Sequence, residues 1–149
     1  MKRTAMMILV AGSMLAFGSC KKKGCTDMNA NNYNQEAEKD DESCTYPVIN
    51  TAGNGSSGDV NGAGGTASSS VQFTNNNATV GWDMAQSATE GSFTLTILDA
   101  DGTSVMSNTL TAGSGAQDAS GTSSQGTTGT WTANVTLTNF NGTGDYSFQ

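Results

Sequence analysis

An alternation of apolar and polar residues with a period of two runs from Val71 to the C-terminus, and it limits the fold more than any other feature. The segments VQFT, ATVGWDM, SFTLTIL, SVMSNTLT, TWTANVTLT and DYSFQ all show it. Successive side chains of a strand point to opposite faces, so this period is typical of strands with one buried face. Turn signals lie between them, at DADG and NGTG. The sequence therefore predicts an all-β domain over residues 71–149, a small antiparallel β-sandwich of six to eight strands.

A domain of about eighty residues can bury one modest core between two sheets. Its expected members are the apolar residues in phase on the predicted strands: Val80, Trp82, Phe93, Leu95, Ile97, Leu110, Trp131, Val135, Leu137, Tyr146 and Phe148. Because both tryptophans are in phase with apolar neighbours, we interpret them as core residues and not as a ligand platform. The polar stretch from Gly113 to Gly129 is predicted to be a long loop outside the core.

The segment from Pro47 to Ser70 is rich in Gly, Ser and Asn and has no apolar period. This composition is typical of a flexible linker. A random coil of this length has a root-mean-square span of about 27 Å. We therefore expect the sandwich to stand off from the segments that precede it.

Positive charge is missing from most of the chain, since no Lys, Arg or His occurs from Thr45 to the C-terminus. Such a domain cannot neutralise phosphates with its side chains, which excludes nucleic acid as a partner. The expected partners are neutral, cationic or reached through a metal ion. A neutral carbohydrate or a protein ligand fits this description.

Catalytic groups are also scarce. Paired carboxylates can serve as general acid and base, and the candidates are Asp40 with Asp41 and Glu42, or Asp99 with Asp101. Neither set lies near a predicted apolar pocket that would separate the two pKa values, and DADG is a common hairpin turn. The chain has no His to act as a base. We therefore predict that the protein is not an enzyme.

The first nineteen residues have the layout of a secretory signal. Lys2 and Arg3 form a basic start, an apolar run extends from Ala5 to Phe17, and small residues precede Cys20. The apolar run is too short to span a membrane. The segment resembles a bacterial lipoprotein signal, in which the cysteine becomes the lipidated first residue of the mature protein.

Three cysteines are an odd number for an oxidising compartment. Lipidation of Cys20 would leave Cys25 and Cys44 as a pair able to form a disulfide. The alternative is an ordinary signal, with Cys20 free or in a disulfide. The lipoprotein resemblance implies several acyl chains on Cys20, enough for stable anchoring, with the basic spacer of residues 20–24 against the headgroups. The expected location is the outer membrane, on its cell-surface or its periplasmic side.

The acidic segment between Cys25 and Cys44 has two interpretations besides catalysis. Asp27, Asn29 and Asn31 alternate along the chain, and Glu38 stands eleven residues after Asp27, which are ligand positions of a helix-loop-helix calcium loop. These four residues are the candidate metal ligands, and calcium is the candidate cofactor. The other interpretation is structural. A Cys25–Cys44 disulfide would hold together a segment, residues 25–46, that has almost no apolar core.

This segment resembles a short module of surface proteins from Bacteroidetes-type bacteria, with the form C-T-D-P, N-Y-N-P and D-D-G-S-C. CTD, NYN, DD and SC occur here in the same order between Cys25 and Cys44. The resemblance implies a lineage and a surface location more than a function.

Two stretches near the C-terminus, TLTILDADGTSV and GTWTANVTLTNFNGTGDYSFQ, resemble the pre-peptidase C-terminal type of β-sandwich found in secreted bacterial proteins. The expected function is that of a non-catalytic, lipid-anchored envelope protein that displays an adhesion or ligand-binding sandwich, with recognition in its polar loops. The alternatives are a structural component that assembles through strand edges lacking Lys, or a calcium-binding surface module.

Overall fold

The computed structural model describes residues 21–53 and 55–149, and within these ranges the chain forms six β-strands and no α-helix. The strands are β1 (Val48–Thr51), β2 (Ser57–Asn75), β3 (Gly81–Leu98), β4 (Ser104–Thr111), β5 (Gln117–Thr122) and β6 (Gly129–Phe148). The predicted all-β class is confirmed.

The strands form one antiparallel sheet in the order β1-β2-β6-β3-β4. The first part of β3 also pairs with β5, and its last part pairs with β4. The three central strands β2, β6 and β3 contain 19, 20 and 18 residues, about three times the usual length. A flat sheet of such strands would leave a broad apolar face open to water, so the sheet gains stability by folding on itself.

Irregularities interrupt each central strand near its middle. Register shifts lie between Ala63 and Ala67 in β2 and between Ala88 and Ser92 in β3, and Asn139 in β6 has a φ of 47°. Bulges bend strands and let them pass from one layer to another. We call first layer the set β1, β5 and residues 57–63, 81–88 and 140–148, and second layer the set β4 and residues 67–75, 92–98 and 129–138.

The two layers face each other, as expected for a small β-sandwich. The ring centroids of Phe93 and Tyr146 lie 6.3 Å apart. Tyr146 is paired with Met84, however, and Met84 lies far from Phe93 along β3, about 30 Å if the strand were straight. The contact between the two rings therefore requires that the sheet is folded.

The core fills the space between the layers. Ten of the eleven predicted core residues are buried, and Trp82 is half-buried and packs against them. The buried cluster also contains residues that the sequence interpretation did not include: Val60, Met84, Ala88, Val105, Met106, Ala133 and Phe140.

The prediction of a flexible linker from Pro47 to Ser70 is wrong, because this range holds β1 and most of β2. The composition has a packing reason. Gly58 lies opposite Tyr146, and a Cβ at this position would be 2.5 Å from the Tyr146 hydroxyl and 2.1 Å from the Asn50 carbonyl oxygen. Large side chains from β6 fill the room that side chains of β2 would need. The first-layer part of β2, residues 57–63, therefore lacks the apolar period of an ordinary strand.

The prediction of a long loop from Gly113 to Gly129 is also wrong, since β5 lies inside it. Ala119 packs against the core. Ser123 is buried, and its hydroxyl oxygen accepts a hydrogen bond from the Val80 N–H at 3.0 Å. The segment is polar because backbone pairing and hydroxyl bonds hold it, and apolar burial contributes little.

In the described part of the chain no helix is long and apolar enough to cross a membrane. The predicted signal, residues 1–19, and Cys20 lie outside the described residues. Export and lipidation at Cys20 therefore stay predictions.

Candidate functional site

The predicted disulfide between Cys25 and Cys44 is present. We call residues 25–46, which this bond holds together, the disulfide module. Cys25 and Ala30 are the buried apolar residues of this module. The bond closes a loop of the length that contributes about 3 kcal/mol in the chain-entropy model, which suits a segment with so little apolar surface.

The predicted calcium ligands lie in the disulfide module, but the side-chain oxygens of two of them, Asp27 and Asn31, already accept hydrogen bonds from the protein. The carboxylate of Asp27 accepts from the Asn29 backbone N–H at 2.9 Å and from the Tyr46 hydroxyl at 2.7 Å. These bonds, the Asn29 backbone bond above all, lower the pKa of Asp27. The Asn31 side-chain oxygen accepts from the Gly65 N–H at 3.1 Å. A calcium ion would compete with these donors for the same oxygens.

Glu38 is exposed, and its backbone N–H donates to the Lys22 carbonyl at 2.8 Å. Among residues 21–53 and 55–149 no group of three or more His, Cys, Asp or Glu side chains is arranged to hold a metal ion. Calcium binding by Asp27, Asn29, Asn31 and Glu38 stays a prediction.

The disulfide module is bound to the edge of β2 at its bulge. The Asn31 side-chain oxygen accepts from the backbone N–H of Ala63 and of Gly65, and the Asn29 carbonyl accepts from the Thr66 N–H at 2.8 Å. A Cβ on Gly65 would lie 2.7 Å from atoms of Asn29, Asn31 and Pro47. The module therefore lies directly against the sheet, although the composition predicts a flexible linker between them.

The candidate carboxylates of the turn after β3 hold the local fold. Asp99 is buried, and its carboxylate accepts from the backbone N–H of Asp101 at 3.0 Å, Thr103 at 2.8 Å and Thr127 at 2.9 Å. The Thr127 bond is the main cause of a pKa below the usual value of 3.8. Asp101 accepts from the Thr127 hydroxyl at 2.7 Å. Both carboxylates thus tie the β3–β4 turn to the segment before β6.

The other candidate acidic set makes local turns. Asp40 accepts from the Glu42 N–H at 2.8 Å, and Asp41 accepts from the Ser43 N–H at 3.2 Å. The Ser43 side chain is the main cause of a lowered Asp41 pKa. The Ser43 bonds stabilise the ionised form of Asp41, whereas a general acid at neutral pH needs a raised pKa.

The outward side of the second layer carries hydroxyl and amide side chains in rows across four strands. We call it the polar face; it comprises Ser68, Ser70, Gln72, Thr74, Thr94, Thr96, Ser107, Thr109, Thr111, Thr130, Thr132, Asn134, Thr136 and Thr138. One row pairs Ser70, Asn134, Thr96 and Ser107 in that order. Neighbours within rows bond each other, as Thr96 and Ser107 do at 3.0 Å. The polar face contains no charged residue.

The outward side of the first layer differs from the polar face in charge. Asp59 lies directly opposite Asp145, and Asp83 and Asp118 lie on neighbouring strands of the same layer. Like charges directly opposite each other in a sheet are destabilising. Asn50 donates to Asp59 at 2.8 Å. The sandwich therefore has one acidic side and one neutral side.

The sequence interpretation placed recognition in loops and did not identify the polar face. The sequence nevertheless indicates a polar face, because the polar positions of the alternating segments TLT and TWTANVTLT are mostly Thr. No protein-family model matches the chain, and a search of curated proteins finds no similar sequence.

Proposed function

We propose that this protein is a non-catalytic, lipid-anchored protein of the outer membrane whose sandwich binds a neutral carbohydrate through the polar face. The observation that carries the proposal is the polar face itself, an uncharged array of hydroxyl and amide groups on four paired strands, with Leu98 as an apolar residue beside Thr132.

The chemistry of these groups suits a sugar polymer. Hydroxyl and amide side chains can each donate and accept hydrogen bonds, as sugar hydroxyls do. Adjacent strands are about 4.8 Å apart and alternate residues about 7 Å apart along a strand, so the groups repeat in two dimensions. Thr side chains are stiff at χ1 and lose little rotamer freedom when a ligand is bound.

Charge favours a neutral ligand over an anionic one. The polar face offers no cation, and no Lys, Arg or His occurs from Thr45 onward. The acidic side of the first layer adds a negative potential that repels anionic polymers. The membrane attachment in this proposal depends on the signal and on Cys20, whose resemblance to lipoprotein signals supports it.

The proposal is tested by co-sedimentation of the full-length protein, in mild detergent, with insoluble neutral polysaccharides and with an anionic polysaccharide. The variant T94V/T136V removes two hydroxyls from one row of the polar face and keeps the shape of the side chains. Loss of two hydrogen bonds predicts binding weaker by about tenfold or more.

T143V is the matched control, because Thr143 is an exposed hydroxyl on the outward side of the first layer. It should bind like the wild type. Binding that is equal in all three proteins, or a preference for the anionic polymer, would contradict the proposal.

A further inference from the structure

The edges of the sheet differ in how they are protected against pairing with another chain. β1 is only four residues long, and β5 is short and carries Asp118. The disulfide module covers the β2 edge at Ala63, Gly65 and Thr66. Short strands, charges and covering segments are the usual protections of an edge.

β4 lacks all three protections. It is eight residues long, contains no charged residue, and pairs with β3 on one side only. On the other side the Val105 carbonyl accepts from the N–H and the hydroxyl of Ser124. The Met106 carbonyl accepts from the Ser104 hydroxyl at 3.5 Å. From Ser107 to Thr111 no backbone group has a further bond outside the β3 pairing, within the part of the chain that the structure describes.

The side chains of residues 106–110 form a chemical pattern that is symmetric about Asn108. Met106 and Leu110 are apolar and buried, Ser107 and Thr109 carry outward hydroxyls, and Asn108 lies at the centre. If two copies of the strand pair antiparallel about Asn108, Met106 meets Leu110 of the second copy, and Ser107 meets its Thr109. Apolar residues then lie opposite apolar residues and hydroxyls opposite hydroxyls.

We propose that β4 is a dimerisation edge, at which two copies of this chain pair β4 to β4 in antiparallel orientation about Asn108. The second layer then continues across both copies as one sheet of eight paired segments. The Ser107 and Thr109 hydroxyls are within reach of each other across the junction, just as Thr94 and Thr109 bond at 2.8 Å across the β3–β4 pairing.

Symmetry favours a second copy of β4 as the partner, because a twofold β4–β4 contact joins two identical edges and closes the assembly at a dimer. The disulfide module covers the β2 edge only at Ala63, Gly65 and Thr66. Pairing of β4 with residues 67–75 of another copy is therefore the competing arrangement, and it would leave a free edge at each end. The charged residues of the sandwich lie outside β4, so the net charge of −7 opposes this contact less than it opposes contacts between the acidic sides. This inference does not depend on carbohydrate binding, because it concerns the backbone edge of β4 and its partner is a second copy of the chain.

Sedimentation velocity of the full-length protein in mild detergent tests the proposal. The wild type should sediment as a concentration-dependent dimer. The variant S107K/T109K places Lys opposite Lys at the junction and should weaken the dimer by about tenfold or more. The matched control S68K/S70K adds the same charge to the same side of the sandwich, at the β2 edge, and should leave the dimer intact.

A monomeric wild type at every concentration would overturn the proposal. So would a dimer that S107K/T109K leaves unchanged, or one that S68K/S70K disrupts equally, since the latter indicates β4–β2 pairing. Thermal denaturation of each variant separates lost pairing from lost folding.

The register is tested with single cysteines in the same full-length protein. A mixture of S107C and T109C chains should form a cross-linked heterodimer on mild oxidation, because these positions are opposite each other. S107C alone should cross-link several-fold less, since its two copies are diagonal neighbours at about 7–8 Å. Equal cross-linking in both samples would refute the register about Asn108.

Discussion

The contact of the disulfide module with β2 predicts a large effect of one added methyl group, in the variant Gly65→Ala. A Cβ at Gly65 would lie 2.7 Å from the Asn29 carbonyl oxygen, the Asn31 side-chain oxygen and Pro47 Cδ. Contacts this short do not occur in folded proteins, and two of the three atoms belong to backbone or ring. We therefore expect the module to move away from the sheet.

The magnitude follows from the bonds that this displacement breaks. Ala63, Gly65 and Thr66 each donate one backbone hydrogen bond to the module. A net contribution of about 1 kcal/mol for each bond gives a loss of about 3 kcal/mol in the free energy of unfolding. For a chain of this size, the expected drop in melting temperature is on the order of 10 °C.

Two measurements and a second variant check this prediction. Differential scanning calorimetry gives the change in stability, and hydrogen exchange at the Thr66 amide reports whether the module still covers it. Asn31→Ala removes the acceptor for Ala63 and Gly65 and should expose the same edge. Gly53→Ala is the control, because no atom lies within 4 Å of a Cβ at Gly53.

The outcome separates a bound module from a flexible linker. In a flexible linker, Gly→Ala changes stability little or raises it slightly. A Gly65→Ala protein with wild-type melting temperature and unchanged protection of Thr66 would refute the close contact between module and sheet.

Three further predictions concern individual side chains. Asp99→Asn replaces an acceptor of the Thr127 N–H; because the folded pKa of Asp99 lies below 3.8, its carboxylate stabilises the fold above that pH, and this contribution is lost as the pH falls through the folded pKa. The stability difference between wild type and variant, measured by urea denaturation, should thus shrink on acidification; a constant difference contradicts it. Cys20→Ala should release the protein from the membrane fraction, and a variant that still pellets with membranes argues against the anchor. If the acidic segment binds calcium, titration calorimetry should give heat at millimolar calcium that Asp27→Asn reduces; no heat and no change in melting temperature would exclude this site.

The period-two alternation predicted the second layer well, because there each strand buries large apolar residues on alternate positions. Phe93, Leu95 and Ile97 are all buried between the layers. In the first layer the alternation predicted segments of β3 and β6 but not of β2. Residues 57–63 of β2 contribute one large buried residue, Val60, so their pattern is visible only beside the large residues of β6.

The sequence predicts the disulfide, the candidate calcium ligands and the polar face to different degrees. Cysteine counting gave the Cys25–Cys44 pair, since a disulfide needs only two available thiols. The side-chain oxygens of Asp27 and Asn31 had the right spacing for an ion, but their hydrogen bonds to Tyr46 and Gly65 depend on segments distant in sequence. The polar face likewise arises only when four strands are placed side by side.

The binding of the disulfide module to β2 also determines how near the folded body lies to its attachment point. Lys22 already belongs to that body, since its carbonyl accepts from the Glu38 N–H and its ammonium pairs with Glu36. If Cys20 is acylated, the segment that connects the lipidated residue to the folded body is therefore Lys21 alone, about 3.5 Å of chain. A connection this short leaves the folded body little freedom to tilt relative to the membrane. Copies on one bilayer would then meet by lateral diffusion with similar orientations.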